Sequence, residues 1–265
     1  MLKTKYDLIH LKKGVIYHYS FPVLDLYVYQ TNDLIDDQVL LLVKDKKMVV
    51  IESPCFYENI VELEEFIASL NVEVEGVVLA YHMAGGTFLP RVKKYATPKA
   101  NTFGTTGGGK GLVNNFSKAF GNIFDANIHG ITNLIPNEAL TIGGISFKLV
   151  ETEDAFDLIF PEINVIYTHM LGHDCHSIIP GPLAAGKMLQ ALEDYQKQEY
   201  ALILTSHHMP EDLEDVKVKI NYIHMILKLV EESKTKEEFI ERVKKEYPSY
   251  SGFNYLEITA RIFFS

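Results

Sequence analysis

Asn164-Val165-Ile166-Tyr167-Thr168-His169-Met170-Leu171-Gly172-His173-Asp174-Cys175-His176 is the stretch on which the reading of this chain turns. Val165 to Tyr167 is an apolar, β-branched and aromatic run that reads as a buried strand. It delivers three histidines, an aspartate and a cysteine into the loop that follows. The whole chain holds ten histidines in 265 residues, so three between 169 and 176 is a concentration. Imidazole, carboxylate and thiolate are the side chains that bind transition metals and move protons near neutral pH. A polar loop of hydrogen-bonded histidines would carry the same letters. The two readings differ in whether other segments send ligands to the same place.

Two other strands do end in histidine. Upstream, Val74 to Ala80 reads as a buried strand that runs into Tyr81-His82-Met83-Ala84-Gly85-Gly86. Downstream, Tyr200 to Leu204 is a short apolar strand that runs into Thr205-Ser206-His207-His208-Met209-Pro210. Strand exits carry chemistry more often than strand interiors, and His82, His169 and His207 at three of them predict one shared site edge. An acidic turn, Glu151-Thr152-Glu153-Asp154-Ala155-Phe156-Asp157, stands one hairpin before the 165–167 strand. It reads as a solvated turn from which Asp154 or Asp157 can reach the histidines.

The remaining elements fill in around these. Residues 15–19, 23–29, 39–43 and 48–51 read as strands, with Lys44-Asp45-Lys46-Lys47 as a hairpin connection. From Glu58 to Leu70 the positions Ile60, Leu63, Ile67 and Leu70 have helical spacing, with Glu62, Glu64 and Glu65 facing water. Ala139–Ile142 and Ile145–Val150 flank a Gly143-Gly144 turn, and 183–195 reads as a helix with Met188, Leu192 and Tyr195 inward. In the last third Val216, Ile220, Ile223, Leu227 and Val230 form an apolar helical stripe, with His224 packed beside it. Thr235 and Glu238 form a capping box, Pro248 stops that helix, and 256–264 is an apolar run of either kind.

Gly104-Thr105-Thr106-Gly107-Gly108-Gly109-Lys110-Gly111 nearly spells a phosphate-binding loop. Gly111 stands where a magnesium-holding hydroxyl is required, and 94–101 lacks the buried apolar strand that should precede it. A glycine loop bordering a pocket is the better reading. Cys175 lies between His173 and His176, but neighbours at those offsets need not face the thiol.

Composition sets bounds. The net charge of −10 disfavours nucleic acid and anionic membranes as partners. Cys55 and Cys175 lie far apart with no secretory signal ahead of them, which predicts free thiols in a cytoplasmic protein. No run is long enough for a membrane helix. The chain can bury a sizeable core.

The order of parts resembles the metallo-β-lactamase fold superfamily over residues 15–210. Val49-Val50-Ile51-Glu52-Ser53-Pro54 is similar to a family strand that usually ends in Asp, and the helix 58–70 and the strand into Tyr81-His82 take the expected places. Leu204-Thr205-Ser206-His207 resembles the strand that delivers the family's last metal histidine, and residues 161–168 resemble the one before its bridging aspartate. The segment through His176 is most similar to the alkyl-sulfatase-like branch. The resemblance implies an α/β, four-layer αββα sandwich over 1–210, with a helical extension, 211–265, packed on the same domain. This chain departs from the family signature HxHxDH after Val77-Val78-Leu79-Ala80, where His82 alone survives. Ala155 stands near a further expected histidine, and His169-Met170 replaces the expected Gly-Asp. A standard two-zinc site therefore cannot form.

Three outcomes stay open. One is a remodelled single-metal site with His82, His169 and His207 as ligands and Asp174, His176 or His208 as substitutes. It would hold one zinc, or iron or manganese, and hydrolyse an ester, thioester, lactone or phosphoester, with Asp154, Asp157 or His173 carrying the proton. Another is a metal-free pocket for a small ligand or anion. The third is an interaction role, with the helical tail as the surface of a homodimer.

Overall fold

The computed structural model describes residues 4–135, 138–169 and 172–265. The chain forms two compact units, one of residues up to 170 with 204–210, the other of 171–203 with 211–265. The helix Pro182–Gln198 therefore groups with the C-terminal helices, although it precedes residue 210.

The first unit contains an eight-stranded sheet in sequential order, β1 (Asp7–His10), β2 (Val15–Ser20), β3 (Asp25–Gln30), β4 (Gln38–Lys44), β5 (Lys47–Ile51), β6 (Glu73–Val78), β7 (Lys94–Ala96) and β8 (Asn133–Leu134). β1 to β5 form an antiparallel meander. The β4–β5 hairpin closes on Asp45 and Lys46 at φ 49° and 61°, the mirror-image turn that matches strand twist. From β5 onward the pairing is parallel, which needs a crossover, and α1 (Tyr57–Ser69) supplies the first one. Val49, Val50, Ile51, Val77 and Val78 are all fully buried, the unbroken apolar run expected of parallel strands covered on both faces.

A second sheet, in order β13-β12-β11-β10-β9, contains β9 (Ala139–Ile142), β10 (Ile145–Glu151), β11 (Phe156–Phe160), β12 (Val165–Thr168) and β13 (Leu202–Thr205). Within the first unit Tyr167 of this sheet reaches Glu52, at the end of β5. The mixed sheets and helices make the αββα class the sequence implies.

The helices correct several expectations. α1 buries Ile60, Leu63 and Ile67 as their spacing predicts, together with Asn59, while Leu70 ends the helix half-buried. Glu62, however, does not simply face water: it accepts the Lys13 and Gly14 amides and the Tyr29 hydroxyl. Glu64 likewise accepts the Leu89 amide. The glycine loop joins α2 (Pro98–Thr105) to α3 (Gly108–Phe120), so Lys110 lies inside a helix. The segment ahead of it does include a strand, the short parallel β7, with α2 in between.

In the second unit stand α4 (Pro182–Gln198), α5 (Leu213–Glu232), α6 (Lys236–Glu246) and α7 (Phe253–Phe263). The apolar run 256–264 is thus helical. In α4, Ala185 and Leu192 are buried, with Met188 and Tyr195 only partly so. The buried face of α5 is Val216, Lys219, Tyr222, Ile223, Ile226 and Leu229, rotated from the expected stripe, and His224 is exposed rather than packed. Among the described residues no helix is long and apolar enough to cross a membrane.

Candidate metal centre

His82, His169 and His207 converge in the first unit, each offering a ring nitrogen, with the three donors all within 4.8 Å of one another. Their ring centroids are 4.8 to 5.7 Å apart. Each histidine sits just beyond a strand, after β6, β12 and β13. Backbone bonds lock the last two exits together: the Ser206 amide donates to the His169 carbonyl at 3.0 Å, and the Gln38 amide donates to the Ser206 carbonyl at 2.7 Å. That second bond also brings in the start of β4.

Each histidine has a distinct support. The backbone before His82 is clamped by Glu52, which is fully buried and held at φ 65°. Glu52 Oε1 accepts the Tyr81 amide at 2.8 Å and the Tyr167 hydroxyl at 2.9 Å, while Oε2 accepts the His82 amide at 3.1 Å. Three donors are what a buried carboxylate requires. His169 stacks on the Tyr81 ring at 4.4 Å. Burial, then the neighbouring His82 and His207, push its pKa well below the ordinary histidine value, so it stands as neutral imidazole, the ligand form. His207 points Nδ1 at the Ile35 carbonyl, 3.1 Å away. Metal-binding histidines commonly donate their other ring N–H in this way. Burial works to lower the His207 pKa, but Asp37 and that carbonyl outweigh it and raise it.

Asp37 was not singled out by sequence and completes the cluster. It is 1% exposed. Its Oδ2 accepts the Cys55 thiol at 3.3 Å, and its Oδ1 lies 3.2 Å from His207 Nδ1 and 3.7 Å from His82 Nδ1. Burial opposes ionisation of Asp37, yet His82 and His207 overcome it and hold the carboxyl below its ordinary pKa. Conversely, burial and then Asp37 push the Cys55 thiol up, leaving it inert. The signal for Asp37 in the sequence is the acidic turn Asn32-Asp33-Leu34-Ile35-Asp36-Asp37 next to an apolar strand.

The residues present fit a metal ion. His82 Nδ1 and Asp37 Oδ1 are buried and make no hydrogen bond. A buried polar atom left so costs roughly 1–3 kcal/mol, and an ion bound by the cluster would relieve it.

The other expected site residues stand as follows. Asp157 accepts the Tyr81 hydroxyl at 3.1 Å, beside the Tyr81–Thr152 bond of 2.9 Å, so it connects to His169 through the stacked ring. Burial raises its pKa to about 6. Asp154 is exposed on its turn and lines a 510 Å³ hollow with Lys99, Glu153 and the Gly107-Gly108 loop. His208 is half-buried, with Nδ1 3.2 Å from the Met209 carbonyl. Met170, the other half of the Gly-Asp replacement, lies outside the described residues.

His173, Asp174 and His176 belong to the second unit. There His173 Nδ1 lies 2.8 Å from Glu211 Oε1, and Glu211 raises its pKa. The Asp174 carbonyl accepts the Ser251 amide at 3.1 Å. His176 is buried, 3.0 Å from the Tyr222 hydroxyl, and burial followed by the charge of Lys219 lowers its pKa to about 4. Burial raises the Cys175 thiol, the opposite of an activated nucleophile. Lys219, hidden in the apolar stripe of α5, donates to the Gly172 and Cys175 carbonyls at 2.8 and 2.7 Å. Burial lowers its pKa to about 8.

No known protein-family profile matches the sequence. No curated protein matches it either. Solved structures do match. A metallo-beta-lactamase family protein from Thermus thermophilus superposes with a TM-score of 0.60 at 13% identity, over 92% of this chain and 93% of that one. A metallo beta lactamase from Erythrobacter litoralis gives 0.54 at 16% identity, over 83% and 100%. A stereoselective inverting sec-alkylsulfatase from Pseudomonas sp. gives 0.56 at 14% identity, over 93% of this chain and 49% of that one. At such identities the likeness is one of architecture, and the chain has the fold of the metallo-β-lactamase superfamily.

Proposed function

We propose that this protein is a hydrolase with a single metal ion held by His82, His169 and His207, acting on an ester, thioester, lactone or phosphoester. The observation that carries the reading is the convergence of three ring nitrogens from three strand exits within 4.8 Å. A bound metal would lower the pKa of a water toward about 7 and polarise the oxygen under attack. The chain's own residues supply the rest. Glu52 fixes the backbone of His82, burial keeps His169 neutral, and Ile35 sets the His207 tautomer. Asp157, with its pKa at about 6, is the proton-holding group behind Tyr81, placed to take a proton at Oδ1.

The fold's hydrolase relatives support the reaction class, and zinc, iron or manganese suits the imidazole-rich donor set. The alternative, a metal-free anion pocket, draws on the missing HxHxDH. A neutral His169, and a His207 already paired with the Asp37 carboxylate, give it little net positive charge to work with. The deciding experiment is the metal content of untagged protein, by mass spectrometry, for wild type, His169→Ala and His207→Ala. About one metal per chain, abolished by either substitution, is the expected result. Sub-stoichiometric metal that neither substitution changes would overturn the proposal.

A further inference from the structure

Asp37 enters the cluster from a different element than the three histidines, on the turn before β4, and its two oxygens are treated differently. Oδ2 is occupied by the Cys55 thiol. Oδ1 is buried and lies 3.2 Å from His207 Nδ1 without the geometry of a hydrogen bond, and it faces His82 Nδ1, which makes none either. The 3.7 Å between them is too long for a hydrogen bond. The ion pair with His207 leaves the gap to His82 open, although an under-satisfied buried carboxylate oxygen is costly. Two donors sharing one metal keep such a gap. With metal–ligand bonds of about 2.0–2.2 Å at tetrahedral angles, donor atoms stand about 3.4 Å apart. His207 Nδ1 donates to the Ile35 carbonyl while standing beside Oδ1, so His207 would ligate through its other nitrogen and Oδ1 keeps a lone pair for the ion.

We infer that Asp37 Oδ1 is a fourth protein ligand, making the centre three imidazoles and one carboxylate. The inference rests on the metal-centre reading above and goes further, because it fixes the class of metal. Four protein donors close a tetrahedral zinc site to substrate. A reactive centre with this donor set needs five or six positions, and a carboxylate oxygen favours the harder divalent ions, manganese or iron. Cys55 is then a positioning residue that holds Oδ2 and aims Oδ1.

The test is titration of the metal-free, full-length wild type, Asp37→Asn and Asp37→Ala with Co²⁺, reading the visible ligand-field bands and the Kd by chelator competition. The expected result is a shifted, weakened band system and an affinity loss above 100-fold for Asp37→Ala. That exceeds the 10–100-fold typical of groups that only orient ligands. Bands that stay in place, with affinity reduced less than 10-fold, would overturn the inference while leaving the three-histidine centre intact. Failure of wild type to bind Co²⁺ or Zn²⁺ at all would instead remove the centre itself. Should both variants fail to fold, the zinc-loaded wild-type structure decides: Oδ1 at about 2.0–2.2 Å from the ion supports direct ligation, and a separation beyond 3 Å overturns it.

Discussion

Replacing Glu52 by glutamine changes one atom and should break one contact at a known place. Two of the three donors meet Oε1, namely the Tyr81 amide and the Tyr167 hydroxyl, and a glutamine oxygen there still accepts both. The third, the His82 amide, meets Oε2. There the variant presents an NH₂ group, and donor faces donor. The lost bond was to a charged acceptor, worth about 1.5–3 kcal/mol, and the two survivors weaken because neutral acceptors bind roughly half as strongly. We expect Glu52→Gln to lower unfolding free energy by about 2–4 kcal/mol in urea denaturation of the metal-free chain. Flipping the amide would lose two bonds in place of one, so this is the smaller cost. Because the broken contact is at His82, metal affinity should fall as well, by about 10–100-fold, the range seen when a ligand's support is removed. The reasoning fails if Glu52→Gln stays within about 0.5 kcal/mol of wild type, the noise of surface changes. It also fails if stability drops but the metal Kd is unchanged, since Glu52 would then brace the core without aiming the ligand.

Two further substitutions test the buried titratable groups. The pKa of Lys219 is about 8 when folded, against an ordinary 10.5, so between those values the unfolded chain binds more protons and stability rises with pH, by about 3 kcal/mol over the window. Lys219→Met should flatten that rise in the wild-type-minus-variant curve, and an undiminished rise would show the amine is not desolvated. Asp157 has the opposite consequence. Its folded pKa of about 6 exceeds the ordinary 3.8, so the folded chain holds the extra proton and stability falls as pH climbs through that window. Asp157→Asn should therefore gain on wild type by about 2–3 kcal/mol between pH 4 and pH 7, while hydrolysis slows; a pH-independent difference would refute the assigned burial.

The fold was legible because its signals are local. Apolar runs and the Asp45-Lys46 turn mark strands β2 to β5, and the 3.6-residue spacing marks α1. The site was partly legible for the same reason: a histidine just past an apolar run can be seen without knowing the sheet. Periodicity failed where a charge sits among apolar neighbours. Lys219 occupies the buried face of α5, so a stripe traced through apolar residues alone came out rotated, and His224, expected to pack beside it, is exposed. Glu62 was sent to solvent on the same logic, although its carboxylate ties α1 to the segment before β2.

Asp37, Glu52 and Lys219 share a property that explains why sequence reasoning passes over them. Each is a charged residue with at most 1% of its surface exposed, a placement that hydrophobic patterning assigns to apolar side chains. Such positions are tolerable only when partners are supplied, and the partners come from distant parts of the chain: Tyr167 for Glu52, Cys55 and two histidines for Asp37, two carbonyls before α4 for Lys219. Glu52 and Lys219 are satisfied in full view, by neutral donors or acceptors at hydrogen-bond distance. Asp37 is less so: Oδ1 has the His207 imidazole at 3.2 Å but no hydrogen bond, and it faces a His82 Nδ1 that makes none. Local rules broken without visible compensation point to function more than to stability, and among these three buried charges that argument singles out the one beside the histidines.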